Sequence, residues 1–90
     1  MYTYYFEKLE VWKLSKDLVK EVYLITNNFP NEEKFNIVSQ IRRAVISIPT
    51  NLSEGSSRST RKDQANFTTI SFSSLMEVLN LLILHLLERA

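Results

Sequence analysis

Ninety residues with no cysteine, one glycine and a net charge of +1 make one domain at most, with no disulfide framework or thiolate metal site to reinforce it. So short a chain buries only about 60 to 65 per cent of the surface its unfolded form exposes, and self-association is then the common remedy for a small core. Hydrophobic content of 44% beside 23% charged residues excludes disorder, and the scarcity of glycine and proline favours long helices over many short strands.

The N-terminal stretch MYTYYFEKLEVWK has no basic region followed by a continuous apolar one, so it does not read as a secretory signal, and a cytoplasmic protein is expected. The first helix is predicted over roughly 8–28. Val11, Leu14, Leu18, Val22, Ile25 and Phe29 recur at helical steps of three and four. Trp12, Val19 and Tyr23 form a second apolar row, wide enough for two neighbours. The run Asn27-Asn28-Phe29-Pro30-Asn31 breaks the helix, since proline disfavours helical geometry at Phe29. Asn31 can cap the next helix, with Glu32 and Glu33 in its first turn.

The second helix, roughly 32–54, has two faces. On ideal geometry Ile37, Val38, Ile41, Ala44, Val45, Ile48 and Leu52 fall on one arc, and Gln40, Arg43, Ser47, Thr50, Asn51 and Glu54 on the opposite one. Arg42 lies on the flank, so the two adjacent arginines need not share a partner. Pro49 removes a backbone donor and crowds the carbonyl of Val45, yet Leu52 returns to the apolar arc. Two readings follow: a kinked continuous helix that stops at Gly55 in a left-handed cap, or a helix ending at Ile48 with a structured loop after it.

After a polar connector, Ser59 or Thr60 can cap a third helix predicted over 61–88, and Thr60 with Asp63 makes a weak capping box. Phe72, Leu75, Leu79, Leu82 and Leu86 share one stripe, and ten of the thirteen residues from Leu75 to Leu87 are apolar. Thirteen residues fall short of the roughly 20 that a membrane span needs. An oily helix without a polar side must be surrounded by protein, more than two helices of this chain can provide.

Residues 34 to 62 carry six basic side chains against one acidic, a local +5, while the rest carries five against nine. Arg42, Arg58, Arg61 and Lys62 are therefore candidates for holding an RNA or DNA backbone. The alternative for the connector cations is a solvated turn. The polar residues Gln40, Arg43, Ser47, Asn51 and Glu54 are either the wet side of an amphipathic helix or a self-complementary interface, with Arg43 and Glu54 pairing within or between subunits. No catalytic set, metal set, cofactor motif or small-molecule site emerges. His85, alone among leucines, reads as a core or interface histidine.

The stretches FEKLEVWKLSKDLVKEVY, SQIRRAVISIPTNLSEGSSR and SLMEVLNLL, with the Asn-Phe-Pro break between the first two, together resemble the four-helix-bundle proteins encoded in intervening sequences of bacterial 23S ribosomal RNA genes. The resemblance covers about residues 6 to 84. It implies an all-α, up-down antiparallel bundle that assembles into a ring, usually a pentamer, without enzymatic activity. Arg42, Arg43, Pro49, Asn51, Glu54 and Gly55 match its signature positions. A related branch, the accessory proteins of diversity-generating retroelements, implies contact with reverse transcriptase and nucleic acid through a basic ring. The chain departs from both patterns. It ends where a fourth helix is expected, which a truncated member, a swapped assembly or a three-helix variant would each explain, and its charge is not strongly basic. The expected function is a non-enzymatic, homo-oligomeric scaffold, with an RNA- or DNA-binding accessory role as the alternative.

Overall fold

The computed structural model describes residues 5–89. Three helices account for most of them: α1 (Glu10–Asn27), α2 (Ser39–Ser56) and α3 (Arg61–Arg89), and no strand occurs among the described residues. A 3₁₀ turn at Tyr5–Lys8 precedes α1, and Leu9, in extended geometry, separates the two. After Asn28 and Phe29 hydrogen-bond back to Ile25 and Thr26, Pro30 interrupts the helix. Winding resumes at Asn31–Glu33 as a 3₁₀ turn, widens to a π turn over Lys34–Val38 and tightens into α2. The second helical stretch thus begins where the sequence places it, but the α geometry starts later. At α3 the Asp63 N–H donates to Thr60 Oγ1 at 3.1 Å, the cap expected of Thr60.

α2 lies between the other two. Arg42, near its start, reaches the end of α1, while Gly55, near its end, meets Phe67 in the second turn of α3. Phe29, just past α1, stacks on His85 at the far end of α3. α2 therefore runs antiparallel to both neighbours, and α1 and α3 run parallel to each other. Val22, Ile41, Ala44, Val45, Ile48 and Val78 form the core.

α2 passes through Pro49 without ending, which decides between the two readings above. Close to the missing donor, three carbonyls each accept a side-chain hydrogen bond: Ile46 from Thr50 Oγ1, Ser47 from Asn51 Nδ2, and Ile48 from Ser71 Oγ on α3. The expectation for Gly55 is corrected. The helix continues to Ser56, and no described residue has a positive φ, so Gly55 is not a left-handed cap. A Cβ on Gly55 would lie 2.8 Å from Phe67 Cβ; glycine is needed here because two helices touch.

Small hydroxyl residues share both contacts with α2 alongside the core aliphatics. The buried positions of α1 are Ser15, Val22 and Thr26, and those of α3 include Ser71 and Ser74. Ser15 and Thr26 donate to carbonyls of their own helix, Trp12 at 2.7 Å and Val22 at 2.8 Å, which lets a hydroxyl be buried without an unmet bond. The larger side chains are displaced outward. Val11, Leu14 and Ile25, on the predicted stripe of α1, are exposed, and only its Leu18, Val22 and Phe29 pack inward. The predicted stripe of α3 divides likewise: Leu75 and Leu82 join the core, whereas Phe72, Leu79 and Leu86 face out.

The result is a slab of 45 × 31 × 19 Å with a radius of gyration of 14.7 Å, against about 12 Å for a compact domain of this length. Its accessible surface is 6537 Å², whereas a folded monomer of this mass exposes about 5,400 Å².

Candidate interaction surface

The outer side of α3 is its more apolar side. Placing the residues of α3 on ideal helical geometry, Phe67, Ser71, Ser74, Val78 and His85 face α2 and α1, and Phe72, Met76, Leu79, Ile83 and Leu87 face away from them. Leu79 is 44% exposed, Ile83 55% and Leu87 66%. A surface helix ordinarily turns its polar side outward. Here the side chains that form hydrogen bonds to α2 face in, and the leucines face water.

Beside this face lies a groove of about 630 Å³ at the open edge between the end of α1 and α3, lined by Ile25, Phe29, Pro30, Leu82 and Leu86. His85 forms its floor, buried and stacked on Phe29 with ring centres 4.0 Å apart, in keeping with a core or interface histidine.

By length and composition, Arg61–Glu88 also suffices to cross a membrane: its most apolar window has a mean hydropathy of 1.8, with 22% of it buried. The helix is thus longer than the thirteen-residue run on which a span was discounted. Core helices of soluble proteins meet the same measure, and Glu77 and Asn80 fall within it.

The four candidate nucleic-acid cations divide. Arg42 turns back into the fold: its Nε donates to Thr26 Oγ1 at 2.9 Å and its Nη2 to Asn27 Oδ1 at 2.8 Å, with the guanidinium 4.4 Å from the centre of the Tyr23 ring. It closes the C-terminal end of α1, where the helix dipole favours a cation. Arg58 pairs with Glu54 at 2.7 Å and covers the Phe67 ring at 4.7 Å. Only Arg61 and Lys62, exposed in the first turn of α3, remain fully turned to solvent.

The polar residues of α2 divide as well. Ser47 shares a 2.7 Å hydrogen bond with Ser74 and accepts another from Asn51 Nδ2 at 2.9 Å, so this part of the stripe joins α2 to α3 within the chain. Gln40 and Arg43 edge a shallow polar depression with Ser47, Ser74 and Glu77. Glu54 is taken by Arg58 and not by Arg43; Arg43 and Glu54 are three turns apart on one helix, about 16 Å, too far to meet within a subunit. Among the described residues Arg43 makes no ion pair in the chain. Pro49 is half-buried and Gly55 buried, both structural in this protomer.

Three partners escaped sequence reasoning: Thr26 and Asn27 as the seat of Arg42, and Ser74 as the partner of Ser47. One signal was present. Ser15 and Thr26 fall in phase with Val22, and hydroxyl residues in the apolar phase of a helix mark a close contact.

The 23S rRNA-intervening sequence protein family matches residues 7–88, all but the first six and the last two. The chain belongs to this family. The fold agrees, being all-helical with three helices, and this is not a known enzyme family. No curated protein matches the chain. The family match takes in α1, α2 and all of α3 but its last residue.

Proposed function

We infer that the protein is a non-enzymatic scaffold that works as a homo-oligomer, assembled in the cytoplasm through the outer face of α3. The observation that carries this is the inverted polarity of that helix, with Phe72, Met76, Leu79, Ile83 and Leu87 outward and Ser71 and Ser74 inward. Exposed apolar patches of this extent mark interaction sites on soluble proteins.

The polar depression at Gln40, Arg43 and Glu77 between α2 and α3 offers a second contact, with Arg43 able to meet a carboxylate of a neighbouring subunit. Ile83→Glu tests the reading. It introduces a charge into the face without touching the core, so sedimentation velocity should show the assembly falling to monomer while helical circular dichroism persists. An unchanged sedimentation coefficient would overturn it.

An accessory role on RNA or DNA is the second reading, favoured by the exposure of Arg61 and Lys62 alone. Assembly would gather these pairs from several chains and gain avidity from the repetition.

A further inference from the structure

Gln40, Arg43, Ala44 and Ser47 form one ridge of α2, Ser74 and Glu77 one ridge of α3, and between them lies a polar depression of about 200 Å³. That is below the roughly 300 Å³ at which pockets begin to hold drug-sized ligands, so the depression fits one or two small polar groups. Ala44, 5% exposed, and the hydroxyls of Ser47 and Ser74 make its floor. Gln40, Arg43 and Glu77 stand exposed at its rim.

The floor has a donor to spare. Ser47 and Ser74 share a single hydrogen bond of 2.7 Å, and Ser47 Oγ accepts a second from Asn51 Nδ2 at 2.9 Å. Two hydroxyls carry two protons, and the bond between them uses one, whichever serine donates it. One O–H is left to donate to an occupant of the depression.

The rim carries opposite charges. The Ser47–Ser74 bond sets the level of α2 against α3, and because the two helices are antiparallel, one turn back along α2 and one turn on along α3 reach the same height. Arg43 stands there on one side and Glu77 on the other, each about 5 Å along the axis from the serine pair. Among the described residues neither joins an ion pair within the chain. An acidic side chain entering the gap would be drawn to Arg43 and repelled by Glu77, and a basic one the reverse. A group that carries both charges close together satisfies both.

We propose that this depression binds the zwitterionic head of a free α-amino acid. The carboxylate lies on Arg43 and the spare serine O–H, the ammonium on Glu77, and Gln40 closes the open end. Hydrogen bonds with an ionised partner are the strong ones, and here each charge of the ligand has one. The volume leaves little room for the ligand's own side chain, so small amino acids are the class it takes. The site lies within one protomer and is independent of the self-association inferred above.

The probe is L-alanine, titrated into isotope-labelled protein and read from amide chemical shifts. Saturable shifts confined to residues 40–47 and 74–77 are expected. Acetate and ethylammonium, each carrying half of the charge pair, should bind about tenfold more weakly, since each leaves one charge-assisted contact unmade. Arg43→Gln and Glu77→Gln change exposed side chains, so helical circular dichroism should persist while affinity for L-alanine falls by about tenfold or more. Glu77→Gln no longer repels a carboxylate and should take acetate better than the unmodified protein does, which a merely structural role for Glu77 would not produce.

No saturable shift with L-alanine, or unchanged affinity in either variant, would overturn the proposal. Acetate bound as tightly as L-alanine would overturn it as well, marking the depression as a seat for an acidic side chain and leaving the contact with a neighbouring subunit standing.

Discussion

Gly55→Ala sets two effects of opposite sign against each other. In a helix, alanine is favoured over glycine by up to about 1 kcal/mol, less this close to the end of α2. On propensity alone the substitution stabilises. The new methyl group, however, would sit 2.8 Å from Phe67 Cβ, about 0.7 to 1.2 Å inside ordinary carbon contact. Because the atom met is the Cβ, no rotation of the phenylalanine relieves it; α2 and α3 must separate, and with them the Ser47–Ser74 and Ser71–Ile48 hydrogen bonds. Overpacking of this kind costs about 1 to 3 kcal/mol, so the net expectation is a loss of about 1 to 2 kcal/mol. Phe67→Ala keeps the offending atom and should not rescue it, whereas Phe67→Gly removes it. In the Phe67→Gly background Gly55→Ala should become neutral or stabilising. Urea denaturation of the four proteins of this double-mutant cycle, at one fixed concentration so that any self-association weighs equally on each, measures the coupling. A stabilised Gly55→Ala variant, or a coupling below about 0.5 kcal/mol, would refute the close contact.

Arg42→Ala should cost about 2 to 3 kcal/mol by breaking three charge-assisted hydrogen bonds, to Thr26, Asn27 and the Tyr23 carbonyl, and the contact with the Tyr23 ring, and Arg42→Lys should recover little of it, since an ammonium cannot make the same fork; thermal melts of both variants decide this. Thr26→Val removes the acceptor of Arg42 Nε at a fully buried position, an expected loss of about 1 to 2 kcal/mol that should be smaller when Arg42 is already alanine. Arg61→Glu with Lys62→Glu should change stability by less than about 0.5 kcal/mol yet weaken any RNA binding seen in a low-salt shift assay; unchanged binding would remove the nucleic-acid reading.

The three helices were legible because their apolar residues keep helical phase over many turns and because Phe29-Pro30 and the serine-rich connector punctuate them. Which half of each stripe would be buried was not legible. Periodicity finds the apolar face of an isolated helix, but the buried phase here includes Ser15, Thr26, Ser71 and Ser74 beside Val22 and Val78, and Leu14 and Leu79 are left outside. Gly55 misled for a related reason: a glycine near a helix end suggests a cap, and only the position of Phe67, twelve residues on, reveals a contact. The destination of Arg42 was hidden by distance, since its partners Thr26 and Asn27 lie across a turn whose geometry the sequence does not specify. The excess apolar surface of α3 was readable from composition alone, and the structure leaves Leu79, Ile83 and Leu87 open to solvent.

The most direct test is the mass of the unmodified protein in solution, by light scattering across the low micromolar range. A mass that is a multiple of 10.5 kDa, held on dilution, is the expected result. A stable, soluble monomer of 10.5 kDa with its outer leucines in water would contradict the account.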